Sequence, residues 1–111
     1  MALEQVFECP RTLSRLRSGP LRKLLEGFCN WMLEYGFSRW TIRMHLGNVS
    51  HLNEHLGGPK TEVLESISPR DADSFFKAYP LRCRNRGPLE EHVHRVRYSI
   101  NRFLDYLRDS V

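Results

Sequence analysis

The sequence predicts an all-α fold, a compact bundle of four main helices, on three observations. Apolar residues recur at three- and four-residue steps through long segments. No segment alternates apolar and polar residues over five or more positions, the pattern of a half-buried strand. Gly, Pro and Ser punctuate the chain where the periodic segments begin and end. The length of 111 residues is that of one domain, and 41% hydrophobic with 27% charged residues is the composition of a folded globule rather than a disordered tail.

Residues 1–19 carry short apolar pieces without a sustained period and read as a basic N-terminal arm holding at most a turn of helix. Gly19-Pro20 opens the first firm helix, with Ser18 as a cap and Pro20 in the first turn, where its missing N–H costs nothing. Leu21, Leu24, Leu25, Phe28, Trp31, Met32 and Tyr35 form its stripe, and Gly36 stops it. Ser38 caps a second helix whose stripe is Ile42, Leu46, Val49, Leu52 and Leu56, ended by Gly57-Gly58-Pro59. Ser68-Pro69-Arg70-Asp71 starts a short third helix that buries Ala72, Phe75, Phe76 and Tyr79 and closes at Pro80. A basic loop, 81–87, leads to Pro88 and a fourth helix. Glu90 and Glu91 fall in its favourable first turn, and Val93, Val96, Ile100, Phe103, Leu104 and Leu107 form its stripe to about Arg108.

Charge is uneven. Arg11, Arg15, Arg17, Arg22 and Lys23 fall in a stretch without an acid, and six arginines between Arg82 and Arg102 face only Glu90 and Glu91. Of the 17 cations 14 are arginine, whose planar fork suits phosphate oxygens and guanine edges. This clustering points to a polyanion partner. No apolar run approaches the ~20 residues a membrane span needs, and the first residues lack the basic and apolar regions of a signal peptide. The expected setting is therefore the cytoplasm, with association to the nucleoid when DNA is bound. Cys9, Cys29 and Cys83 form no C-x-x-C pair and read as free thiols, Cys29 as a small core or boundary residue.

A stripe marks what is inside, so the opposite face is where a partner is met. On the second helix that face holds Arg39, Trp40, Arg43, Gly47, Ser50, His51 and Glu54. On the fourth it holds His94, Arg95, Tyr98, Asn101 and Arg102. Cations mixed with an aromatic and an amide suit a groove-reading surface. The alternative is two solvated faces, with Trp40 packed under the arm.

Other chemistry is thin. His51-Leu52-Asn53-Glu54-His55 fits the H-x-x-E-H pattern of inverted zinc peptidases, but no third ligand or cleft accompanies it, so two solvated histidines are expected and no metal site. Asp71 and Asp73 fit helix-start electrostatics rather than acid–base work. No Ser/His/Asp arrangement, phosphate loop or dinucleotide glycine motif is present, and neither a cofactor nor a small-molecule substrate is expected.

Phe28, Trp31, Leu33, Gly36, Ser38, Thr41, Leu46, Val49 and Leu52 follow the order seen in one known domain. Ile67-Ser68-Pro69-Arg70-Asp71 with Phe75 matches its third-helix start, and Arg97, Ser99, Ile100, Phe103, Leu104, Tyr106 and Leu107 its last helix. Over roughly residues 21–107 the chain thus resembles the N-terminal core-binding (SAM-like) domain of tyrosine recombinases and phage integrases. The resemblance implies that residues 20–108 form one half of a clamp on double-stranded DNA, with the second and fourth helices near a major groove. It implies further recombinase protomers on the same DNA and a role in integration or recombination. The DNA-contacting set is then Arg39, Trp40, Arg43, Arg84, Arg86, His94, Arg95, Tyr98 and Arg102. The family's nucleophilic tyrosine and its activators belong to a second domain not found in this sequence. The H-x-x-R spacing at His92 to Arg95 sits in the wrong domain for them and reads as coincidence. No catalytic residue is therefore expected, and the chain reads as an excised domain or a truncated gene product that binds DNA without cutting it. The competing reading is a helical protein–protein assembly or regulatory module.

Overall fold

The computed structural model describes residues 2–57, 62–82 and 89–109. After a short 3-10 turn, Ala2–Gln5, come α1 (Pro10–Leu16), α2 (Arg22–Glu34), α3 (Arg39–Gly57), α4 (Pro69–Arg82) and α5 (Leu89–Asp109), with no strand among the described residues. The all-α prediction is met with five helices where the sequence marked four. The fifth is α1, in the segment expected to be an arm. Leu3, Val6 and Leu16 are fully buried in the common core, so this segment is packed against the rest rather than hung from it. Its hold on α2 is polar as well: the Leu3 backbone N–H donates to Glu26 Oε1 at 3.1 Å, and Arg17 Nε lies 3.8 Å from Glu26 Oε2.

Several ends of helices follow the sequence chemistry. Gly36 takes φ +79°, the left-handed conformation open to a residue without a side chain, and ends α2. Ser38 Oγ accepts the Thr41 N–H at 3.1 Å and caps α3. Ser68 and Asp71 close a reciprocal box at the start of α4: Asp71 Oδ2 accepts the Ser68 N–H at 2.9 Å, and Ser68 Oγ accepts the Asp71 N–H at 3.3 Å.

Two ends differ. Ser18 does not cap α2; its hydroxyl donates to the Ser14 carbonyl at the end of α1, and α2 starts at Arg22. Pro80 does not stop α4, which runs on to Arg82: proline forfeits its own N–H bond and disfavours the helical conformation of the residue before it, and α4 continues for only two residues beyond it.

The core is built on Phe28 of α2. Its ring meets Phe103 of α5 edge-on at 5.2 Å, and Met32, Ile42, Leu46, Val49, Leu52 and Ile100 fill the space around it, all fully buried. Cys29 lies in this core, and burial pushes its thiol up to about 12, which makes it an inert packing residue. α4 covers one side through Phe75, stacked on Tyr79 at 5.0 Å and edge-on to His55 of α3 at 5.6 Å.

α3 and α5 share the most extensive packing in the molecule. Their contacts show that they run antiparallel. His45 meets Tyr98 with ring centres 5.5 Å apart, Asn48 Nδ2 reaches the Arg95 carbonyl at 3.5 Å, and His51 meets His92 at 6.0 Å. Each step of three residues along α3 is matched by three residues back along α5.

Candidate nucleic-acid interface

The seam between α3 and α5 is polar at its centre. Asn48 Nδ2 donates to Ser99 Oγ at 2.9 Å, and that hydroxyl lies 2.8 Å from His45 Nδ1. His45 and Ser99 are both buried. A hydroxyl that accepts from Asn48 keeps its own proton to offer, and a neutral His45 ring takes it. Burial, helped by the Arg102 charge, pushes the His45 pKa down to about 4 and keeps the ring neutral.

Outside this seam lie most of the residues marked from the sequence, in three different situations. Trp40, His94, Arg95 and Tyr98 face solvent, Trp40 with 72% and Tyr98 with 50% of its surface exposed. Trp40 stands on α3, and His94, Arg95 and Tyr98 stand on α5. Exposed in this way, Trp40 is not packed under the N-terminal segment.

Arg39 and Arg43 are met differently from expectation. Both donate their Nε–H to the Val6 carbonyl, at 3.2 and 2.7 Å, and Arg39 Nη2 reaches Glu8 Oε1 at 3.3 Å. The Arg43 guanidinium also sits 6.0 Å from the Phe7 ring centre. These two arginines therefore hold the N-terminal segment with one edge of each fork while their remaining edges stay exposed.

Arg102 turns inward. Its guanidinium lies 5.7 Å from the ring centres of both Phe37 and Tyr98, and Nη2 donates to the Tyr98 hydroxyl at 3.2 Å. Nη1 lies 3.8 Å from Asp105, and Nε is buried without a hydrogen-bond partner. Arg102 thus props Tyr98 in place. Arg84 and Arg86 lie outside the described residues.

Compared with family models, with curated proteins and with solved structures, the chain matches none. The chemistry of the surface alone must then say what it can do.

Two more expectations are settled by position. Ser50, read as outward, is buried and donates to the Gly47 carbonyl, and His51 is half-buried against Tyr79 and His92. Burial lowers the His51 pKa, with the Glu54 charge opposing and the His92 and Arg15 charges assisting. His55 Nε2 lies 3.3 Å from Ser74 Oγ, so the two histidines of the H-x-x-E-H pattern serve different neighbours. Among the described residues no group of three or more His, Cys, Asp or Glu side chains is placed to hold a metal ion, and no helix is long and apolar enough to cross a membrane.

Sequence reasoning missed Val6 and Glu8, whose partners are more than 30 residues away. It also missed His45, although the signal existed: three residues after Ile42 and four before Val49, this polar residue stands on the apolar stripe.

Proposed function

We propose that this chain is a duplex-DNA-binding helical domain that works as the DNA-clamping half of a tyrosine recombinase or integrase, without strand-cutting groups of its own. One observation carries the reading. Two helices joined by hydrogen bonds among His45, Asn48 and Ser99 expose Trp40 on α3 and His94, Arg95 and Tyr98 on α5. Exposed arginine and histidine supply phosphate contacts, which position a duplex without reading it, while the flat aromatics suit base or sugar edges. The resemblance of residues 21–107 to a recombinase core-binding domain, read in the sequence, supports the same reading. Alone, half a clamp binds with a roughly micromolar or weaker dissociation constant.

The test is binding of a short labelled duplex at two salt concentrations. Affinity should fall steeply with salt, and Arg95→Ala should flatten the log–log slope by about one unit, the signature of one lost phosphate contact. Affinity indifferent to salt would contradict the reading. A second reading, a protein–protein assembly module, is favoured by the same exposed aromatics, since Trp and Tyr are the common anchors of protein interfaces.

A further inference from the structure

Arg39 and Arg43 share one acceptor. The Val6 carbonyl takes an Nε–H from each, at 3.2 and 2.7 Å, which holds two guanidinium groups side by side. Like charges brought together repel, and one peptide oxygen does not neutralise them. Among the described residues a single carboxylate reaches the pair, Glu8, at 3.3 Å from Arg39 Nη2, and its side chain is 85% exposed. No described carboxylate pairs with Arg43.

Apart from Arg39 Nη2, which Glu8 takes, the Nη donors of both forks stay available, since the carbonyl accepts only from Nε. α3 begins at Arg39, so the positive end of a 19-residue helix lies at the same place. Two planar forks at a helix start, pinned by backbone, suit a tetrahedral oxyanion better than any neutral partner. The Val6 side chain is fully buried, so the carbonyl that does the pinning is fixed, whereas Glu8, two residues on, is free to swing away.

We propose that Arg39 and Arg43 form a receptor for one phosphodiester group of duplex DNA, and that Glu8 occupies it in the free chain as an internal competitor which DNA displaces. This rests on the DNA-binding reading above and adds to it a phosphate subsite with a built-in brake. Val6 acts as a positioning group through its backbone oxygen.

The experiment is a double-mutant cycle read by duplex binding at low salt. Glu8→Gln is compared with Asp73→Asn, which removes the same charge from the exposed face of α4, and each is repeated with Arg39→Ala. Glu8→Gln should bind about threefold more tightly than Asp73→Asn, the size of one exposed ion pair, and the difference should vanish without Arg39. Equal affinities for the two charge variants, or a gain that survives Arg39→Ala, would overturn the proposal. Arg39→Gln, which keeps an N–H for the Val6 carbonyl, replaces Arg39→Ala should the latter fold poorly by circular dichroism.

Arg95→Ala separates this proposal from the reading beneath it. If that variant weakens duplex binding while Glu8→Gln and Asp73→Asn agree, the brake is wrong and the DNA surface stands. If it too has no effect, both fall. Inorganic phosphate carries the same oxyanion, so it should displace duplex better than chloride at equal ionic strength, and this preference should vanish in Arg39→Ala; a preference that survives Arg39→Ala would overturn the receptor.

Discussion

The Asn53 side-chain oxygen accepts the Leu21 backbone N–H at 2.9 Å, and so a residue of α3 closes the start of α2. The same amide donates to the Ser18 carbonyl at 2.9 Å, and all of this lies around Gly19 at φ +84°. Asn53 is buried, so its removal leaves an amide and a carbonyl without partners. Asn53→Ala should lower stability by about 2–4 kcal/mol in urea unfolding. Gly19→Ala should also destabilise, because an added Cβ would stand 2.8 Å from Asn53 Oδ1 in a backbone conformation that disfavours side chains. In an Asn53→Ala background only the conformational part of that cost should remain.

His45 should make stability depend on acidity. Its folded pKa of about 4 lies below the ordinary value of 6.5. Between these values the unfolded chain binds more protons than the folded one, so stability rises with pH across the window. The contribution is complete above about pH 6.5 and is lost as pH falls toward about 4, amounting to roughly 3 kcal/mol. Urea midpoints measured from about pH 7 to about pH 4.5 should fall less in His45→Gln than in the native chain. Identical falls would trace the effect to other groups.

Gly27 is a packing requirement in the middle of α2. A methyl group there would land on the Tyr106 hydroxyl of α5. Gly27→Ala should therefore cost about 1–3 kcal/mol, although alanine is the better helix former by about 0.5–1 kcal/mol. With Tyr106→Leu the clash disappears, and the same substitution should become neutral or stabilising. Thermal midpoints of the four proteins decide it.

Trp40 discriminates the two functional readings. With 72% of its surface exposed, Trp40→Ala should change stability by no more than about 0.5 kcal/mol. Weaker duplex binding with unaltered sedimentation favours the DNA surface. Lost self-association with unaltered duplex binding favours the assembly module.

How much of this could be read in advance depends on how local the cause is. The stripe Ile42, Leu46, Val49 and Leu52 is buried as its spacing requires, and Gly36, Ser38 and Ser68 act through neighbours within four residues. The packing of residues 2–16 was hidden because a four-residue turn and a seven-residue helix are too short to display a period, even though Leu3, Val6 and Leu16 are fully buried. Asn53 looks like an ordinary polar residue until its partners, 32 and 35 positions away, are known. For Arg39 and Arg43, helical spacing gives the direction away from their own helix but not the segment waiting there.

The trio of His45, Asn48 and Ser99, with His45 and Ser99 buried, has a consequence for the surface above it. Sliding α5 along α3 by one turn would bring leucine and isoleucine back against similar neighbours, at little penalty. It would also strand the buried His45 and Ser99 without partners, a cost no apolar contact offsets. The two rods therefore possess a single setting, like a key cut for one lock. Whatever docks on Trp40 and Tyr98 meets a spacing dictated by atoms it never touches.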